Sequence, residues 1–225
     1  NLIINKIVVT GASGFLGGNL TRELDFQKIP FSGFSRNGEL KKENCFIIDD
    51  YKKIEPSSGS ILVHLAEPNN IKEVNKMDKN SLNKIYTLTE KLLKKNWKHV
   101  IYISSVALYN NSLDKIHKPS DEIKITDNYT RSKMICEKLF FDYGGTILRL
   151  SNVYGPRMSS NNIFSDVITQ LKTNDSIRVK SLSPIRDFIW IEDVIESIIL
   201  SAQVKPNEIL NVGTGFSVSV SKLVK

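Results

Sequence analysis

The stretch IVVTGASGFLGG, residues 7–18, constrains the fold of this chain more than any other. Gly11, Gly14 and Gly17 recur every third residue, directly after a run of apolar and β-branched side chains. A buried strand that ends in such a turn and opens a helix makes an anion site. Gly11 allows the tight turn, Gly14 lets the backbone approach a pyrophosphate, and Gly17 lets the helix pack against the sheet. The first N–H groups of the helix add a partial positive charge. The turn therefore predicts dinucleotide binding.

The order of the remaining segments agrees with that unit. Strands are expected at 6–10, 31–34, 45–48, 61–65, 99–104, 146–150, 188–191 and 209–212. Helices are expected at 15–26, 80–95, 128–141, 163–172 and 192–201. The first strands are continuously apolar rather than alternating, as a parallel sheet covered on both faces requires. Strand and helix in alternation imply an α/β fold, a Rossmann-type doubly wound parallel sheet. Residues 154–185 are richer in Ser, Asn and Pro and read as an excursion, with 187 onward returning to the sheet. The expected division is a dinucleotide-binding domain at 1–153 and 187–213, and a partial substrate-binding lobe at 154–186 and 214–225. A chain of 225 residues can bury one substantial core of this kind.

The formal charge of +7 raises the question of nucleic acid. The lysines come in scattered pairs, such as Lys52-Lys53 and Lys94-Lys95, with no stripe interleaved with aromatics. They read as a solvated basic surface with a mild attraction for phosphate-bearing ligands, and no nucleic-acid partner is expected. No apolar run approaches 18 residues, so no membrane partner is expected. Asn5 and Lys6 interrupt the N-terminal apolar stretch, which reads as a strand and not as a signal peptide. Cys45 and Cys136 lie far apart and read as reduced thiols of a cytoplasmic protein. His64, His99 and His117 form no cluster with Cys or carboxylates, so no metal is expected. The chain opens on Asn1, and its true start is expected upstream.

Further stretches follow in a fixed order. They are HLAE at 64–67, Asn80, YISSVALY at 102–109, YTRSK at 129–133, LRLSNVYGPR at 148–157, RDFIWIEDV at 186–194 and NVGTG at 211–215. With Thr10 and the G-x-x-G-x-x-G turn, this set resembles the extended short-chain dehydrogenases/reductases, the NAD(P)-dependent epimerase/dehydratase family, over the whole chain. HLAE resembles that family's HxAA turn after the fourth strand. The resemblance implies a cofactor held by Gly11, Ser13, Gly14, Phe15, Leu16 and Gly17, by Leu65 and Ala66, and by Tyr129 and Lys133. Asp49 resembles the residue at the adenine edge. In the sugar-nucleotide branch, Asn152 would contact the substrate and Arg186 its phosphates.

The residue types themselves allow a specific chemistry. Tyr129 is the only one of the seven tyrosines with a lysine four residues on, and that spacing puts Tyr129 and Lys133 on one helix face. A free phenol ionises near pH 10, and a neighbouring ammonium favours the phenolate. Ser105 can hold the substrate oxygen while a hydride moves at the adjacent carbon. The family pattern selects Ser105 rather than Ser104, with Leu108 and Tyr109 as markers. Catalytic roles are therefore expected at Ser105, Tyr129 and Lys133.

Two departures refine the reading. An NAD enzyme carries an acidic residue at the end of the second strand. Here that place holds Ser35, followed by Arg36, which would welcome a 2′-phosphate. NADP is the expected cofactor, with NAD as the alternative. Val106 and Ala107 stand where the 4,6-dehydratases carry an Asp-Glu pair, which argues against dehydration. The resemblance also implies further substrate-lobe sequence beyond Lys225, including a second phosphate-binding arginine. The expected activity is that of an NADP-dependent 4-keto-sugar reductase. An NAD-dependent 4-epimerase and a non-catalytic NADP-binding regulator are the alternatives. A homodimer is expected through helices 80–95 and 128–141, whose apolar residues include Leu82, Ile85, Tyr86, Met134, Ile135 and Leu139.

Overall fold

The computed structural model describes residues 4–36, 42–109, 116–160, 162–171, 176–179 and 181–224. The elements, in chain order, are β1 (Lys6–Thr10), α1 (Phe15–Phe26), β2 (Phe31–Ser35), β3 (Cys45–Ile47), β4 (Ser60–His64), α2 (Ile71–Asn75), α3 (Lys79–Leu93), β5 (His99–Ser105) and α4 (Asn128–Asp142). They continue with β6 (Thr146–Leu150), β7 (Asn152–Tyr154), α5 (Ile163–Leu171), β8 (Ile185–Trp190), α6 (Ile191–Val204), β9 (Ile209–Val212), β10 (Ser217–Ser219) and α7 (Val220–Leu223). Residue 172, the last of the expected fourth helix, lies outside the described residues.

Seven strands form one parallel sheet in the order β3-β2-β1-β4-β5-β6-β9. The chain runs outward from β1 in both directions, so the strand order reverses between β1 and β4. A crevice opens at such a reversal, beyond the carboxyl ends of the strands.

Strand alternation explains why the strands read as continuously apolar. Ile7, Val9, Ile61, Val63, Ile101, Ile103, Leu148 and Leu150 face one side, packed with Leu20 and Leu24 of α1 and with Ile191, Val194, Ile195, Ile198, Ile199 and Ala202 of α6. Val8, Leu62, Val100, Tyr102 and Ile147 face the other, packed with Leu92 and Leu93 of α3 and Cys136 and Phe140 of α4. Both faces are covered, so neither can be polar. The apolar positions of α6 recur at three and four residues, which turns one stripe onto the sheet.

Several features differ from the sequence expectation, among them the short elements β7, β10 and α7. The strand that begins at Ile185 does not rejoin the main sheet. It pairs in parallel with β7 (Asn152↔Phe188) and antiparallel with β10 (Val218↔Arg186), making a separate three-stranded sheet. The place beside β6 is taken by β9 (Leu148↔Leu210), so the return runs through α6 and β9. The short helix α2 was not expected. Asn70 nucleates it by accepting the N–H groups of Lys72 and Glu73, at 3.0 and 3.4 Å. Among the described residues no helix is long and apolar enough to cross a membrane.

Candidate active site

The residues singled out by sequence collect along the carboxyl edge of the main sheet. Gly11 follows β1, Ser35 ends β2, Asp49 follows β3, Leu65 follows β4, Ser105 ends β5 and Asn152 lies just past β6. The glycine turn sits beside the turn after β4. A Cβ on Gly11, whose φ is +72°, would lie 2.8 Å from the Leu65 carbonyl oxygen. A Cβ on Gly17 would lie 2.1 Å from the Gly11 carbonyl oxygen, so α1 could not approach β1 with any side chain there. Gly14 is the N-cap of α1, with no side-chain cap and no acidic residue in the first turn. The N–H groups at the start of this helix are thus left to a ligand, and their polarity suits an anion. Phe15 and Leu16 are the first two residues of that turn. The Ser13 and Ser35 hydroxyls are hydrogen-bonded at 2.5 Å, which ties the glycine turn to the end of β2. These features fit a dinucleotide pyrophosphate.

Ser105 Oγ accepts the N–H of Ala107 at 3.1 Å and so caps a single 3₁₀ turn. Tyr129 and Lys133 lie one turn apart on the buried face of α4, each 8% exposed. The start of α4 is held firmly. Asp127 accepts the Thr130 N–H at 2.8 Å in a capping box. Asn75 at the end of α2 accepts the Tyr129 N–H at 2.9 Å and donates to Asp127 Oδ2 at 2.9 Å. Burial pushes the Asp127 carboxyl up, but the Thr130 and Asn75 hydrogen bonds outweigh it and hold the group below its ordinary range. The ring of Tyr129 packs with Val74, Leu82 and Ala107, which brings α2, α3 and the turn after Ser105 together.

Lys133 is not a free cation. Its Nζ donates to Glu67 Oε2 and to the Ile103 carbonyl, both at 3.0 Å, and lies 5.0 Å from the centre of the Tyr102 ring. Burial alone would lower its pKa; Glu67 and the Tyr129 side chain more than offset this and raise it. Glu67, Thr10, Asn75 and Asp127 are the site residues to which sequence reading assigned no role. For Glu67 the signal was present, as a carboxylate at the fourth position of HLAE.

The substrate-side residues fall on the small sheet. Asn152 is exposed and its Nδ2 donates to the Asp187 carbonyl at 3.1 Å. Arg186 is exposed and donates to the Ile185 carbonyl at 2.7 Å. It makes no ion pair with Asp187, whose carboxylate instead accepts from the Thr214 and Gly215 backbones at 3.1 and 2.9 Å. Asp187 therefore organises the NVGTG turn, and the Arg186 guanidinium is left at the surface.

Toward the other end of the edge, Arg36, Asp49, Asp50, Tyr51, Asn80 and Lys84 border an open cavity of about 680 Å³. The Arg36 guanidinium lies 5.7 Å from the centre of the Tyr51 ring. Asp49 pairs with Lys53 at 2.6 Å. Asn80 is the second residue of α3 rather than its cap, because Asp78 caps that helix through the Ser81 N–H. Cavity, glycine turn and Tyr-Lys pair thus lie in that order along a single edge.

Comparison with known proteins bears on this arrangement. Residues 7–213 match the model of the NAD dependent epimerase/dehydratase family. A dTDP-D-glucose 4,6-dehydratase of Bos taurus is 32% identical over 133 residues, 56% of this chain, and the match spans only 38% of that enzyme's length. A GDP-6-deoxy-D-talose 4-dehydrogenase of Aggregatibacter actinomycetemcomitans is 27% identical over 97% of this chain and 77% of its own. The solved structure of MoeE5 in complex with UDP-glucuronic acid and NAD superimposes with a TM-score of 0.84 at 23% identity, over 98% of this chain and 80% of that one. At that identity the superposition speaks for the fold.

Proposed function

Because the chain belongs to the NAD dependent epimerase/dehydratase family, we propose that it acts on the sugar of a nucleotide-sugar as an NADP-dependent 4-keto-sugar reductase. The observation that carries this reading is the Tyr129–Lys133 pair, buried side by side on α4 and adjoining the turn that Ser105 caps. When bound, the nicotinamide supplies the hydride. Ser105 holds the substrate oxygen by hydrogen bond. Tyr129 gives that oxygen its proton as the carbon is reduced. Lys133 stabilises the phenolate left behind. Asn152 and Arg186 bind the nucleotide-sugar, the guanidinium suiting its phosphates.

Reduction fits better than dehydration. Val106 and Ala107 form the turn after Ser105, and neither can move a proton for an elimination. The name of the Aggregatibacter relative describes redox chemistry at the 4 position of a nucleotide-sugar, which agrees. NADP is preferred because β2 ends in Ser35, where an NAD enzyme carries an acidic residue, and Arg36 follows it. The protein dimerises through α3 and α4, where Ile85, Tyr86, Met134, Ile135 and Leu139 remain partly exposed.

The test offers NADPH and NADH with UDP-, dTDP- and GDP-linked 4-keto-6-deoxy sugars and their parent hexoses. Loss of NADPH absorbance with one keto-sugar supports the reductase. Interconversion of 4-epimers with no net cofactor change replaces it with the epimerase. Cofactor binding without turnover of any member supports the non-catalytic regulator.

A further inference from the structure

Glu67 closes the HLAE turn, and hydride transfer by Ser105, Tyr129 and Lys133 leaves it without a task. Its side chain is only 7% exposed. Oε2 accepts from Lys133 Nζ at 3.0 Å and from the Tyr102 hydroxyl at 2.7 Å. A carboxylate buried without a counter-charge takes up a proton, and an ammonium buried alone loses one. Here each charge keeps the other. Glu67 and the Ile103 carbonyl occupy two of the three Lys133 N–H donors, which leaves one.

The support continues behind the carboxylate. Thr10 Oγ1 accepts the N–H groups of Leu65 and Ala66, at 3.1 and 3.3 Å, so its own proton goes to His64 Nδ1 at 2.7 Å. That assigns His64 the neutral form with its hydrogen on Nε2. Nε2 faces Glu67 Oε1 at 3.9 Å, and neither atom reaches a hydrogen-bond partner. A donor and an acceptor thus face each other about 1 Å beyond hydrogen-bonding distance. A small closure of the turn would satisfy both. Burial holds His64 down to about 4, so it does not compete with Lys133 for the negative charge.

We propose that Glu67 is the positioning residue of Lys133. It is the buried counter-ion that keeps the ammonium charged and its remaining N–H in one orientation before any cofactor arrives, braced from the glycine turn by Thr10 and His64. The function of that N–H in the site rests on the reading of Lys133 given above. The groups facing Lys133 are Glu67 from the turn after β4, Tyr102 from β5, and Tyr129 and Cys136 from α4. Tyr86 of α3, Cys136 of α4 and His64 of β4 face Glu67 in turn. Glu67 is the only permanent anion in that set.

The experiment follows Lys133 itself. In protein carrying [¹³C]lysine, the Lys133 Cε resonance is the one absent from Lys133→Arg, and it is titrated without cofactor. In the wild type it is expected to titrate above the ordinary lysine value, because Glu67 and Tyr129 outweigh burial. In the isosteric Glu67→Gln protein it should titrate at least about one pH unit lower, and Glu67→Asp should recover most of the difference. NADPH affinity, read by fluorescence, should then be about tenfold weaker about one pH unit above the Lys133 midpoint of Glu67→Gln than at about pH 7, and should fall far less over the same range in the wild type. An unchanged Lys133 titration in Glu67→Gln overturns the proposal. Should that variant not fold, wild-type titration below pH 9 overturns it alone. A shifted Lys133 in a protein whose wild type binds neither NADPH nor NADH supports the counter-ion role and overturns the cofactor reading instead.

Discussion

Replacing Glu137 by glutamine is expected to destabilise the protein by about 3 kcal/mol. Glu137 lies one turn beyond Lys133 on the buried face of α4 and is 4% exposed. It receives Arg149 of β6 bidentately, Nε at 2.8 Å and Nη2 at 2.7 Å, and Arg149 is 3% exposed. Burial alone would lower the Arg149 pKa, but its hydrogen bonds to Glu137 and Tyr109 more than offset this and raise it. A guanidinium is intrinsically too basic to lose its proton at ordinary pH, so it stays charged when Glu137 becomes neutral. Removing one partner of a buried pair costs about 3–5 kcal/mol, because the other charge is left uncompensated. The lower end applies here. Arg149 Nη1 keeps the Tyr109 hydroxyl at 2.9 Å and the Pro119 carbonyl at 3.2 Å. With a urea dependence of about 2 kcal/mol per molar, the unfolding midpoint should fall by about 1.5 M. The adjacent residue supplies the control. Lys138 pairs with Asp142 at 2.8 Å, but the two side chains are 73% and 57% exposed. Water and salt screen that pair, and Lys138→Ala should cost less than about 0.5 kcal/mol. Replacing Glu137 and Arg149 together by Met and Leu should recover most of the loss. A Glu137→Gln protein within about 1 kcal/mol of wild type would refute the reasoning, because it would mean that the guanidinium finds water.

Tyr129→Phe keeps the ring and its packing and removes only the proton path, so turnover should drop by a factor of about 10² to 10⁴ with NADPH affinity unchanged; full activity in steady-state assays would make the tyrosine structural. Lys133→Ala should lower both turnover and cofactor affinity, which titration of NADPH fluorescence separates. Arg36→Ala should weaken NADPH by about 1–3 kcal/mol and leave NADH nearly unchanged, and equal wild-type affinities for the two would remove the NADP preference. Stability should fall as pH drops from 6.5 toward 4. His64 and His99 are buried, and burial lowers each to about 4, so the unfolded chain takes up protons in that window and the folded one does not. Each contributes up to about 3 kcal/mol, and urea midpoints that stay level from pH 7 to pH 4.5 would contradict it. Sedimentation at micromolar concentration should show a dimer through α3 and α4, and a monomer would count against that interface.

Much of the architecture was legible in the residues because it depends on local order. Short apolar runs alternating with helical patterns fit strands covered on both faces, and glycines at 11, 14 and 17 fit the turn after such a strand, where helix and backbone pack with no Cβ between them. The YxxxK spacing places two side chains on one helix face wherever that helix lies. What the sequence could not decide was pairing. Segment 188–191 reads as a returning main-sheet strand, yet residues 188–190 went to a second sheet, because β9 occupies the edge beside β6 and an edge admits one neighbour. Asp187 stands next to Arg186 in the chain, yet its carboxylate is claimed by the Thr214 and Gly215 backbones, far along the sequence. Glu67 was visible as a letter, but its meaning came from residues 35 and 66 positions away that close around it, Tyr102 and Lys133. Periodicity and turn chemistry act over a few residues and are written along the chain. A buried charge is decided by whichever groups the completed fold brings within about 3 Å of it, and only the tertiary structure chooses those.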